Sequence, residues 1–157
     1  MKFLIILFLW ILSLNSTVED LRTDYIKAID SKVTTEKRIE YFKENKPTTP
    51  IQRCYNGVFH CLNAKHAFLP NDKISYLKKG LSDINKSVVQ APNDLEIRFH
   101  RFAIEQSIPS FISFTSHIKV DKKFIVDNYS STHPFSNVIL KYMITKGGCA
   151  KTDFKNK

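Results

Sequence analysis

The sequence predicts an all-α fold, a compact antiparallel helical bundle or short solenoid-like stack of about six or seven helices. Apolar residues recur at spacings of three and four in nearly every segment, the repeat of a helix with one buried stripe. No stretch joins strand alternation to hairpin turns, and the four glycines are few for a sheet protein.

The first residues stand apart from that fold. Lys2 precedes an unbroken apolar run over 3–12, well short of the roughly 20 residues a membrane-spanning helix needs. A short positive start, a compact apolar segment and small residues after it make a secretory signal peptide. Residues 1–16 are therefore expected to be a leader cut between Ser16 and Thr17, residues 17–148 a single helical domain, and 149–157 a flexible tail. An exported chain would reach the periplasm or the extracellular space; a leader left uncut would tether it to the membrane.

In the domain, Val18, Leu21, Tyr25 and Ala28 form the first stripe, with Thr17 as cap and Glu19 and Asp20 in the first turn. A short second helix is expected from Thr35, carrying Ile39 and Phe42. ENKPTTP breaks the chain, and Pro50 suits a first helical position. The next stripe is Ile51, Cys54, Tyr55, Val58, Cys61 and Leu62; Gly57 within it costs about 1 kcal/mol against alanine, a cost that close approach of a neighbouring helix would offset. A turn capped by Asn71 or Asp72 leads to the clearest helix, with Ile74, Leu77, Leu81, Ile84 and Val88 spaced 3, 4, 3, 4 and Lys73, Lys78, Lys79 and Lys86 outside. Pro92 ends it. A helix follows over 95–106. Beyond Pro109, Ser110 is the expected cap of a segment with Phe111, Phe114 and Ile118, and Asp121 the cap of KKFIVDNY. The last stripe is Phe135, Val138, Ile139 and Tyr142, stopped by Gly147 and Gly148.

The 95–106 segment holds the most chemistry. At about 100° per residue, Leu95, Phe99, Phe102 and Ala103 fall on one side, with Ile97, Ile104 and Ile108 nearly opposite. A helix with two apolar faces is squeezed between neighbours. Asp94, Arg98, Arg101 and Glu105 line one polar seam and suit i, i+4 pairs, Asp94 with Arg98 and Arg101 with Glu105. Glu96 and His100 line the other as an expected hydrogen-bonded pair. The functional alternative has the arginines gripping a carboxylate or phosphate, in a hydrolase-like cleft around Arg98, Arg101, Glu105 and His100.

Other signatures are missing. No Gly-rich phosphate loop or GxSxG elbow occurs. His60 and His66 fall roughly 120° apart on a helix and do not converge with Cys61 on a metal. No catalytic residue, metal or cofactor is expected. Cys54 and Cys61 lie about 10 Å apart along a helix, beyond the roughly 7 Å a disulfide spans, so each is either a buried thiol or joined to Cys149. Of the N-x-S/T triplets at Asn15, Asn85 and Asn128, only the last lies outside a leader or a mid-helix position.

The net charge of +9 favours anionic partners, a polymer or lipid surface, or another exported protein. Nucleic acid is not an expected partner of an exported chain.

Two resemblances add to this. Tyr55, Asn56 and Gly57 opening one helix and SVVQAPND over 87–94 closing the next resemble tetratricopeptide-like helix pairing. The glycine and proline are 35 residues apart here, against about 24 within that family's 34-residue unit, and no second copy is present. Tyr55, Ala64, Lys65, PNDLEIRF over 92–99, Arg101, Phe102, Pro109, Ser110, Phe111, Asp121 and Lys122 resemble a group of small exported proteins of Bacteroidota, over about residues 50–125. That likeness implies export into a bacterial periplasm or to the cell surface and names no reaction. The expected function is an exported helical binding or scaffold protein, with Arg98, Arg101, Glu105, His100, Lys78 and Lys79 as candidate binding residues.

Overall fold

Seven α-helices and one 3-10 turn follow one another among the residues described by the computed structural model, which are 16–109, 112, 114 and 116–154. The helices are α1 (Val18–Ala28), α2 (Lys32–Glu44), α3 (Pro50–His66), α4 (Pro70–Gln90), α5 (Leu95–Ser107), α6 (Ile118–Asn128) and α7 (Ser136–Thr145). Short links join α1 to α2 and α3 to α4, which turns each pair antiparallel.

Local chemistry explains most of the boundaries. Thr17 and Asp20 exchange hydrogen bonds in a capping box at the start of α1, and Thr49 and Gln52 do the same at α3, where Pro50 is the first helical residue. Asp94 accepts from the Ile97 N–H at 2.9 Å to open α5. Gly148, at φ +64°, lets the chain leave α7 while the Cys149 N–H bonds back to the Met143 carbonyl.

Three expected starts move. The second helix begins at Lys32 rather than Thr35, because Ser31 takes the Thr34 N–H and leaves Thr35 a buried interior position. The fourth begins at Pro70, so Asn71 and Asp72 lie inside its first turn. The sixth begins at Ile118 behind His117, so Asp121 is a buried residue of the helix and not its cap. The expected cap Ser110 and its neighbour Phe111 lie outside the described residues, as do residues 1–15 of the expected leader. The tail also differs: Cys149 is buried, and the 3-10 turn Lys151–Phe154 sets a buried Phe154 edge-on against Tyr129 at 5.1 Å. An aromatic anchor thus holds a segment whose composition suggested a loose end.

Two helices share the centre. As its two-sided pattern predicts, α5 buries nine of its thirteen residues and packs on α3, α4, α6 and α7. Its partner is α3, which contacts α1, α2, α4 and α5 and buries Phe59, His60, Asn63 and Ala64 besides Cys54, Tyr55, Val58 and Cys61 of its expected stripe, whose Ile51 and Leu62 are partly buried. The closest approach is between α3 and α4. There a Cβ built on Gly57 would lie 2.5 Å from the Gly80 carbonyl oxygen, and one on Gly80 would strike Cys61 Sγ. The penalty of Gly57 is offset as its position implied. Among the described residues no helix is long and apolar enough to cross a membrane.

Candidate functional site

The polar seams of α5 close on its neighbours. On the first, Arg98 and Arg101 converge on Asp121 of α6, whose carboxylate is fully buried. Arg101 donates from Nε to Oδ2 at 2.6 Å and from Nη2 to Oδ1 at 2.8 Å, a bidentate clamp. Arg98 adds Nη1 to Oδ1 at 2.7 Å and lies 4.5 Å from the centre of the Phe124 ring. Arg101 Nη1 also reaches Asn85 Oδ1 of α4 at 3.3 Å. One turn on, Glu105 accepts the His117 backbone N–H at 2.8 Å and meets His117 Nδ1 at 2.7 Å. The acid that stabilises the N-terminus of α6 therefore comes from α5.

This corrects the pairing within the helix. Asp94 is occupied as the α5 cap, and Glu105 as the partner of α6. The arginines turn outward from their own helix, where the buried Asp121 carboxylate accepts from both of them.

On the second seam, Glu96 is almost fully buried. Arg22 of α1 donates to it from Nε at 3.1 Å and from Nη2 at 2.7 Å. The Tyr55 hydroxyl of α3 donates as well, and His133 Nε2 stands 3.9 Å away. Burial pushes the Glu96 carboxyl up, but the Arg22 bonds and the Tyr55 hydroxyl bring it to a net position below the usual carboxylate range.

The expected hydrogen-bonded pair between Glu96 and His100 does not form. His100 sits among Tyr55 at 4.8 Å, Tyr25 at 4.9 Å, Phe99 at 5.5 Å and Phe135 at 5.6 Å between ring centres. Neither of its ring nitrogens has a hydrogen-bond partner. Burial lowers its pKa to about 4, so the ring is neutral near pH 7. Arg22 takes the carboxylate because a guanidinium fork satisfies both of its oxygens.

The remaining candidates scatter. Lys78 and Lys79 stand exposed on the outside of α4. His60 stacks on Tyr76, and His66 lies 3.4 Å from the Ala28 carbonyl. Among the described residues no group of three or more His, Cys, Asp or Glu side chains could hold a metal ion. The thiols of Cys54, Cys61 and Cys149 are free and buried, so the bridge left open to Cys149 is not made. Burial raises all three above their usual pKa, that of Cys61 to about 12, which keeps them protonated and poor nucleophiles.

The surface holds two adjoining depressions. One, of about 500 Å3, is lined by Arg53, Ser82, Asn85, Lys86, Val89 and Gln90. The other, of about 230 Å3, is lined by Lys46, Pro47, Arg53, Asn56 and Asp83. Neither is lined by Arg98, Arg101, Glu105 or His100. Sequence reasoning passed over Arg53, Arg22 and the pairing role of Asp121. Only position 53 carried a local sign, an arginine beside an apolar stripe with no acid three or four residues away. Comparison with protein-family models, with curated proteins and with solved structures gives no match.

Proposed function

We propose that the protein is an exported, non-catalytic helical binding or scaffold module that meets an anionic partner through its outer basic surface. The observation that carries this is the closure of the α5 seams. Arg98 and Arg101 are held by Asp121, Glu105 by His117 and Glu96 by Arg22, so these charged side chains of α5 are committed to neighbouring elements. The outer side of α4 is rich in cations, with Lys73, Lys78, Lys79 and Lys86 exposed along it in a chain of net charge +9. Such a surface attracts a polyanion or an anionic lipid headgroup over roughly a Debye length. Export rests on the leader-like run over 3–12, and the compartment is a periplasm or the extracellular space, with tethering if the leader is retained. Tetratricopeptide-like describes only the antiparallel pairing of α3 with α4.

The test is retention on a sulfated polymer resin and on phosphatidylglycerol vesicles. The expected result is binding at about 0.05 M salt that is lost near about 0.5 M, where screening is strong. Retention that does not change with salt, or no retention at low salt, contradicts the electrostatic mode.

A further inference from the structure

We propose that the depression between the start of α3 and the outer half of α4 is an oxyanion-binding site centred on Arg53, taking a carboxylate or phosphate group of a small ligand. The proposal deepens the binding role above and rests on it.

The chain has five arginines, and all lie among the described residues. Four have a carboxylate: Arg22 has Glu96, Arg38 has Asp24, and Arg98 and Arg101 share Asp121. Arg53 has none. It is half-buried, and its Nε is buried without an acceptor. A partly desolvated guanidinium lacking a counter-ion is an unbalanced cost to the fold, and an arriving oxyanion would offset it.

The surroundings suit that anion. Ser82, Asn85, Lys86, Val89 and Gln90 fall at i, i+3, i+4, i+7 and i+8 on α4 and line the larger depression opposite Arg53. That wall supplies a second cation, a hydroxyl and two amides, and no acid. Asn85 Oδ1 already accepts from Arg101, which leaves its NH2 group to donate. Asp83 lines the smaller depression together with Arg53, where its Oδ2 accepts from Asn56 Nδ2 at 2.8 Å. The volume of about 500 Å3 is within the range of small-molecule sites, and the exposed methyls of Val89 offer an apolar wall for the rest of the ligand. Carboxylate and phosphate both fit a guanidinium, so the two must be separated by experiment.

The test is amide NMR of the full domain titrated with inorganic phosphate and, separately, acetate. Saturable shifts confined to Arg53, Ser82, Asn85, Lys86 and Gln90 are expected, and the anion that saturates at lower concentration identifies the chemistry. Arg53→Gln should weaken that binding at least about tenfold, the loss of a charge-assisted fork. Arg53→Lys should fall between, and Lys141→Gln, exposed on α7, should match the wild type. Lys86→Gln gives a second route to the same weakening if Arg53→Gln does not fold. Identical titrations of wild type, Arg53→Gln and Lys86→Gln, or unsaturable shifts spread over the lysine surface, overturn the site. Salt-sensitive retention that survives Arg53→Gln alongside such titrations would leave the general binding role standing and remove only this site.

Discussion

At His100 an imidazole occupies a cage of four aromatic rings with both nitrogens unbonded, so protonation would bury a charge at a cost that the attraction of Glu96 does not offset. Its pKa of about 4 in the folded protein lies below the roughly 6.5 of an unfolded chain. Between these values the unfolded state holds the extra proton. The contribution is complete above pH 6.5 and is lost as pH falls toward 4, by about 3 kcal/mol. His60 moves the same way, lowered to about 4 by burial and by Lys79 and Lys43. Glu96, held below its usual 4.5, begins to lose its contribution as pH falls through about 4.5, at the low end of this window. Urea unfolding from pH 7 to 4.5 should show stability falling with pH, and His100→Leu should reduce the slope by about half, one of two protons having been removed. An unchanged slope in the variant would mean that His100 is already protonated or solvated.

The contact of α3 with α4 shows how little room an element can have. Alanine at Gly80 would gain about 1 kcal/mol of helix propensity. Its methyl would meet Cys61 Sγ and the Gly57 carbonyl, and a backbone oxygen inside a packed helix cannot step aside. Overpacking of this kind costs about 1–3 kcal/mol and comes with backbone shifts. Gly80→Ala should therefore lower stability by about 1–2 kcal/mol in denaturant unfolding, and a stabilised variant would show that the helices stand further apart. The value of Gly57 was legible from its place inside an apolar stripe, whereas nothing in the local pattern singled out Gly80 as its counterpart. Element ends were legible where the signal lies next to its helix, as with Thr17 and Pro50, whereas Asp94 was read as a partner of Arg98 and is instead the cap of α5. The start of α6 was not legible, because its stabilising acid is Glu105, twelve residues upstream on another helix. Asp121 looked like a cap by position, but two arginines from α5 claim it.

For the molecule as a whole, the helical class followed from periodicity because every stripe needs a neighbour to cover it. The interior position of α5 followed from its two apolar faces. What sequence could not supply was which element covers which. The charged residues of α5 were read as neutralising one another, but Glu96 is paired with Arg22 of α1, and Arg98 and Arg101 with Asp121 of α6. Arg22 lies 74 residues from Glu96, and no local spacing carries information over that distance. The same limit hid Arg53, whose significance lies in the partner it lacks after all others are matched.

The claim on which this account turns is that the charges of α5 hold the core together, and a double-mutant cycle of Arg101→Met and Asp121→Asn in denaturant unfolding tests it most directly. A coupling of about 1–3 kcal/mol is expected, with Asp121→Asn alone costing about 3 kcal/mol or more, since it strands two guanidinium charges. Additivity within about 0.5 kcal/mol, with Arg101→Met leaving stability unchanged, would contradict it and free Arg101 for a ligand.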